Sequence, residues 1–372
     1  MVAPTLKNDI SQALTYFLRK RLIEVTALQT QHIKIESLDR QDSDLLCAAS
    51  IIQSGGLVVF PTETVYGLGG DGTNQEAAKK IYAAKGRPSD NPLIIHVAKP
   101  EDAEHYAVTN PTYYRLAKAF MPGPLTVILP KKESIPFSTT GGLDTVAVRC
   151  PAHPVARRLI ELAGVPIAAP SANLSGKPSP TCAAHVAQDM DGRVDMILDG
   201  GDCEIGLEST IVKIDGDSLT LLRPGGITYD ALCMVSDKVN IASAVTHQLA
   251  DGERVLSPGM KYRHYAPTAP LILLTGEEHK VLSFLQAEQK EKNCAILCYD
   301  EEIPLLEPKN LLPVGGRSNL EAQPTRLFHA LRDADGTDAT VIYAHLPPME
   351  GLGLALYNRM IRAAAHTIQE II

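Results

Sequence analysis

The chain has no apolar run approaching the length of a membrane span and no visible signal peptide, which sets aside an integral membrane protein and predicts a cytoplasmic location. Cysteine is scarce as a building material. The seven cysteines are odd in number and irregular in spacing, so they supply neither a disulfide framework nor paired C-x-x-C metal knuckles. Cys294 and Cys298 share one apolar segment, and the set is expected to be reduced core residues. Positive charge is also short: 35 Lys and Arg against 43 Asp and Glu give a net charge of -8, with an isoelectric point near 5.8. That excludes a protein whose main business is gripping nucleic acid nonspecifically, because such binding rests on many phosphate contacts. Any RNA contact is limited to a local patch. Two catalytic signatures, G-x-S-x-G and H-E-x-x-H, are missing, which removes the hydrolase elbow and the zinc protease. SGKPS, Ser175 to Ser179, fails as a phosphate loop, since Walker A requires glycine where Ser171 stands and Ser or Thr where Pro178 stands.

What is present is enough apolar material, 45% of 372 residues, for a sizeable core divided between two domains. The densest segment is Gly55 to Val97. Leu57 to Phe60 reads as an interior strand, and Pro61 ends its hydrogen bonding just where Thr62, Glu63 and Thr64 appear. Thr73 followed by Glu76 is a capping-box pattern, and Ala77, Ala78, Ile81 and Ala84 form the apolar stripe of a helix ending near Ala84. Lys85 and Arg87 follow on a glycine-relaxed turn, then a strand from Pro92 to Val97 carrying His96. Two cations beside flexible backbone suit phosphate oxygens, although a solvated helix end reads the same way, and a lone strand histidine is usually a core residue. GLGGDG, Gly67 to Gly72, matches G-x-G-x-x-G, but PTETVY separates it from the strand, so the dinucleotide fingerprint is rejected.

Further apolar runs at 127–129, 145–148, 166–169, 197–198, 210–214 and 219–222 alternate with helical stretches, an α/β layout. Arg149, Ser171, Asn173 and Arg223 fall where such runs stop, and ligands of open α/β sheets gather outside strand ends. The expected organisation is an N-terminal extension over 1–32, a first domain over 33–236, a linker over 237–268 and a smaller parallel α/β domain over 269–372. Within the extension, residues 10–25 fit a short amphipathic helix. Within the linker, SPGMKYRHYAP, Ser257 to Pro267, is loaded with aromatic and cationic groups.

Taken together, FPTETVYGLG, KGRPSDNPLIIHV, PGPLTVIL, GLDTVAVRCPAHP, PIAAPSANLSGKPSPT, GLESTIV, LLRPGGI and SPGMKYRHYAP resemble the threonylcarbamoyl-AMP synthase family in its long, two-domain form. Each motif is weak alone; eight in order are not a chance pattern. The resemblance implies a YrdC-like twisted open-sheet α/β catalytic domain followed by a Rossmann-like one. It also implies a reaction in which L-threonine, bicarbonate and ATP give threonylcarbamoyl-AMP and pyrophosphate, with the product passed to a threonylcarbamoyl transferase complex that modifies tRNA beside the anticodon.

No side-chain nucleophile is needed for that chemistry, which rests on positioning and neutralisation of phosphate charge. The resemblance assigns Lys85 and Arg87 to catalysis and to ATP. It adds Ser89, Thr126, Ser171, Asn173 and Arg223 to the nucleotide pocket, with Tyr262 and His264 on a covering lid. Mg2+ is expected to arrive on ATP, since no acid cluster marks a protein cage. Threonine's carboxylate asks for a guanidinium, best supplied by Arg149, and its hydroxyl for Thr62, His96 or Ser209. Singly, Arg149 also fits a strand-end surface charge, Ser209 a core hydroxyl, and Ser171 and Asn173 an ordinary turn. A nonenzymatic RNA-binding module is the competing class, with Lys79, Lys80, Lys85 and Arg87 as its basic face.

Overall fold

The computed structural model describes residues 28–38, 41–247 and 265–372. The expected amphipathic helix at 10–25 lies outside the described residues, as do Tyr262, His264 and the 257–264 part of the expected lid.

Strands β1 (Gln31–Lys34), β2 (Val58–Phe60), β3 (Gly67–Asp71), β4 (Ile94–His96), β5 (Leu125–Pro130), β6 (Thr145–Arg149), β7 (Ile167–Ala168), β8 (Met196–Asp199), β9 (Thr210–Asp215), β10 (Ser218–Arg223) and β11 (Val239–Ile241) form one mixed sheet. Among the described residues its order is β1-β8-β2-β3-β7-β4-β6-β5-β9-β10-β11. It draws on residues either side of the 33–236 span, because β1 starts at Gln31 and β11, within the expected linker, pairs with β10. Helices α1 (Asp42–Gln53), α2 (Gln75–Lys85), α3 (Pro111–Phe120), α4 (Phe137–Thr140), α5 (Pro154–Ala163), α6 (Ala183–Met190) and α7 (Tyr229–Cys233) accompany this sheet. The main core fills with Val59, Leu68, Ile81, Ile95, Val127 and Val148, while α1 and α5 pack together over Phe60 and Ile167.

A second sheet holds β12 (Leu271–Gly276), β13 (Cys294–Cys298), β14 (Leu311–Pro313), β15 (Val341–His345) and β16 (Ile368–Ile371), ordered β14-β13-β15-β12-β16. Every described pairing in it is parallel. Parallel strands are covered on both faces, which is why β13 reads CAILC with no polar alternation and is buried throughout. Its helices are α8 (Glu278–Glu291), α9 (Gln323–Asp335) and α10 (Gly353–Ala363). The last is buried almost all round, including Asn358 and Arg359.

One local expectation is corrected. Helix α2 is capped not by Thr73 but by Asn74, whose side chain accepts from the Glu76 and Ala77 amides; Thr73 instead donates to the Asp71 carboxylate. The glycines of GLGGD are neither a loop nor a phosphate cradle but strand β3, antiparallel to β2. A Cβ at Gly69 would come within 2.7 Å of both Phe60 and Ile167, so glycine is required where the two neighbouring strands carry large side chains. At the other end of α2, Gly86 takes φ 61 and turns the chain into Arg87, as the Lys-Gly-Arg spacing predicts.

All seven cysteines are free, but Cys47 and Cys233 are exposed and Cys182 half-buried, which corrects the expectation of a uniformly core set. Among the described residues no helix is long and apolar enough to cross a membrane.

Candidate active site

Register brings the site together. His96 on β4 lies beside Arg149 on β6 and Ile167 on β7, and Arg149 lies beside Thr126 on β5, so three polar residues share one level across adjacent strands. Beyond that level a cleft of about 490 Å³ opens, lined by Val65, Arg87, Pro92, Ile94, His96, Arg149, Ala169, Pro170, Ser171, Glu208, Ser209, Arg223 and Tyr265. Six residues expected in the site from sequence therefore face one cavity: Arg87, His96, Arg149, Ser171, Ser209 and Arg223.

The cations are held in different ways. Arg149 Nη2 lies 2.6 Å from Glu63 Oε1, and Glu63 Oε2 accepts from the Ala152 amide at 3.0 Å, which fixes the guanidinium at the strand end. Among the described residues its Nε, like that of Arg87, has no hydrogen-bond partner. Arg223 donates from Nε to the Ser209 carbonyl at 3.0 Å and from Nη2 to the Ser209 hydroxyl at 3.1 Å. Arg87 donates to the Asn91 and Pro92 carbonyls at 3.2 and 3.0 Å and leaves its Nε unpartnered. Among the described residues neither Arg87 nor Arg223 has a carboxylate at ion-pair distance. Burial pushes both guanidiniums down to about 10.

Lys85 stands behind the lining. Its ammonium donates to the Ser171 carbonyl and, at 2.6 Å, to the Asn173 carbonyl, bracing the loop that carries Ser171. Asn173 completes that loop by accepting from the Ser171 hydroxyl at 2.5 Å and donating to the Leu174 and Lys177 carbonyls. Burial, with Arg87 nearby, lowers the Lys85 pKa well below its ordinary value. A buried lysine regains its charge when an anion arrives.

Thr126 reaches the cleft through Ser209, the two hydroxyls being 2.7 Å apart. His96 is buried, with Nδ1 3.3 Å from the Ile167 carbonyl, and burial together with Arg149 pushes it down to about 3, so it is a neutral ring at neutral pH. Thr62 does not line the cleft; its hydroxyl donates to the Val65 carbonyl at 2.6 Å and shares a hydrogen bond with Thr64. Ser89 is exposed and lies outside the lining.

Glu208 and Arg359 were not expected there, whereas Tyr265 belongs to the segment expected to cover the site. Glu208 accepts from the Ser179 hydroxyl and pairs with Arg359 Nε at 2.8 Å. Burial works to raise its carboxyl, but Arg359, Arg223 and Ser179 outweigh that and hold it at about 2. Arg359 comes from α10, in the second sheet's layer, and also donates to the Pro224 carbonyl at 2.9 Å. Tyr265, where the described chain resumes, stacks on Phe328 and lies beneath the Arg359 guanidinium, 5.7 Å from ring centre to Cζ.

The basic face expected for RNA is not assembled. Lys79 pairs with Glu76, Lys80 donates to the Gly55 carbonyl, and Lys85 and Arg87 are buried in the cleft wall.

Residues 50–225 match the Sua5/YciO/YrdC family, described as Telomere recombination. Residues 227–365 match the family described as Threonylcarbamoyl-AMP synthase, C-terminal domain. The threonylcarbamoyl-AMP synthase of Bacillus subtilis is 44% identical over 332 residues, covering 88% of this chain and 95% of the relative. That of Pyrococcus abyssi is 46% identical over 333 residues, covering 87% and 95%. A crystal structure of Pyrococcus abyssi Sua5 complexed with L-threonine superposes with a TM-score of 0.83 at 42% identity, covering 92% of this chain and 99% of that one.

Proposed function

The chain belongs to the threonylcarbamoyl-AMP synthase family, and from that premise we propose that its cleft joins L-threonine, bicarbonate or carbon dioxide, and ATP into threonylcarbamoyl-AMP and pyrophosphate. The observation that carries the reading is the excess of buried cations: Arg87, Arg149 and Arg223 line the cleft and Lys85 backs it, against Glu63 and Glu208, both already engaged. Buried charge without a counter-charge is destabilising, so such a cleft favours anionic occupants.

Threonine's amine captures carbon dioxide to form a carbamate, a carbamate oxygen bonds to the α-phosphorus, and the bond to the β-phosphate oxygen breaks as pyrophosphate departs. Arg149, steadied by Glu63, receives the threonine carboxylate, and Ser209 and the neutral His96 meet the threonine hydroxyl. Arg87 and Arg223 neutralise the triphosphate. Lys85 holds the Ser171 to Asn173 loop in place and adds charge behind it. Each acts by position and by charge that strengthens toward the transition state, and no covalent intermediate on the protein is needed.

Mg2+ enters as part of the ATP substrate. Among the described residues Glu63 and Glu208, the carboxylates at the cleft, are each paired with an arginine, which supports an ion carried by the nucleotide. The product is an activated mixed anhydride, to be consumed by a threonylcarbamoyl transferase complex acting on tRNA. Seven free thiols fit a reducing, cytoplasmic setting.

The test is pyrophosphate release by the purified chain with MgATP and bicarbonate, with and without L-threonine. Threonine-dependent release is expected. Its absence from folded protein would refute the reading.

A further inference from the structure

A cluster of potential metal ligands lies away from the cleft and shares no lining residue with it. Cys182 precedes the first residue of α6, His185 sits one turn into that helix, and His329 lies on α9 of the second sheet's layer. The three ligand atoms are all within 4.8 Å of one another. The two imidazoles face each other with ring centres 4.6 Å apart at 53°. His185 is 9% exposed, and among the described residues its Nδ1 has no hydrogen-bond partner. A buried ring nitrogen without a partner is uncommon and asks for an occupant.

The donor set narrows what that occupant is. One thiolate and two imidazoles suit zinc or a similarly borderline divalent ion, not magnesium or calcium, which prefer oxygen. Zinc bonds of roughly 2.3 Å to sulfur and 2.0–2.1 Å to nitrogen put tetrahedral ligands roughly 3.3–3.8 Å apart. Reaching that spacing from the present separations of up to 4.8 Å requires about 1 Å of side-chain movement. Cys182 and His329 also border an open cleft with Asp202 and Glu36, so the ion has a route in, and water or a carboxylate can take the fourth position.

Two local charges oppose a cation: Lys34, which borders the same cleft and is paired with Glu36 at 3.1 Å, and Arg332. Arg332 lies near His185, but Asp189 binds its guanidinium at 2.7 Å, and Asp189 is also paired with Lys177.

We propose that Cys182, His185 and His329 form a zinc-class metal site that clips α6 of the first sheet's layer to α9 of the second. Binding makes one S–Zn and two N–Zn bonds and releases the thiol proton to solvent, with no change of oxidation state. The Asp189–Arg332 pair, further along the same two helices, already joins these layers, and the metal would reinforce that seam.

The experiment is an anaerobic titration of the tag-free full chain with Co2+, followed by displacement with Zn2+. The expected result is one equivalent per chain, with a thiolate-to-cobalt charge-transfer band and tetrahedral visible bands that Zn2+ abolishes. Cys182→Ser and His329→Gln should lose the band, while Cys47→Ser and Cys233→Ser, at exposed thiols, should keep it. Threonine-dependent pyrophosphate release and the circular dichroism spectrum report folding of each variant independently of the metal. The proposal is overturned if folded wild-type protein gives no thiolate–cobalt band, or if folded Cys182→Ser gives the wild-type one.

Discussion

Replacing Arg359 by methionine, which keeps the stem but removes the charge, tests how α10 supports the cleft. Arg359 is fully buried and, among the described residues, makes four hydrogen bonds, two of them to Glu208. Without it, the Glu208 carboxylate stays buried beside Ser179 and Arg223. Breaking a buried pair from one side costs about 3–5 kcal/mol. Because Arg223 remains, the lower end, about 3 kcal/mol, is expected, a fall in Tm of roughly 6–12 °C for a domain of this size. The pH dependence separates this mechanism from a simple packing loss. In the wild type the Glu208 carboxyl is held at about 2, against an ordinary 4.5. Its pairing therefore contributes fully above pH 4.5 and is lost as pH falls toward 2. In Arg359→Met the carboxyl rises, so the deficit should be largest near neutrality and shrink under acid. The double variant Glu208→Gln/Arg359→Met should regain most of the loss, since no unpaired charge is left. Thermal and urea unfolding from pH 4 to 8 gives the answer. A deficit below about 1 kcal/mol, or one independent of pH and unrelieved in the double variant, would refute the reasoning.

Arg87→Ala and Lys85→Ala should lower kcat by about 100-fold or more while circular dichroism stays native, the range seen when a preorganised charge donor is removed; wild-type turnover in the folded double variant would overturn their assignment. Arg149→Met should raise the KM for threonine by about 10–100-fold and that for ATP far less, because a charged hydrogen bond to a carboxylate is worth about 1.5–3 kcal/mol; equal effects on both substrates would place Arg149 elsewhere. Buried His96, with its pKa pushed down to about 3, binds no proton in the folded state where the unfolded chain does below pH 6.5. It should therefore cost about 1.4 kcal/mol of stability for each pH unit below 6.5, and His96→Gln should flatten that acid limb in urea titrations. An unchanged limb would mean that the ring is charged as folded.

Much of the cleft was legible because strand ends announce themselves. Arg149 and Arg223 each close an apolar run, and the Lys-Gly-Arg turn falls where helix α2 must stop. What escaped notice shares one physical cause: its partner is far away in the chain. Glu208 and Arg359 are 151 positions apart. Each is an acid or base inside an apolar frame, GLEST and LYNRMIR, which signals a buried partner without saying which. Strand β3 was missed because GLGGD defies β-propensity; only the bulk of Phe60 and Ile167 on its neighbours explains it. Thr62 was expected in the cleft as a hydroxyl at a strand's exit, and Ser89 from the family resemblance. Thr62 instead stabilises its own turn, and Ser89 faces solvent.

The cleft's charged groups are spread from Glu63 to Arg359, and the last of them arrives on the final described helix. During synthesis the first sheet can gather as it emerges, but Glu208 has no ion-pair partner from α10 until that helix has left the ribosome. A nascent chain therefore carries an incomplete receptacle for most of its translation, and cellular ATP and threonine act on it only at the close, as ligands that draw a nearly finished fold to its native state.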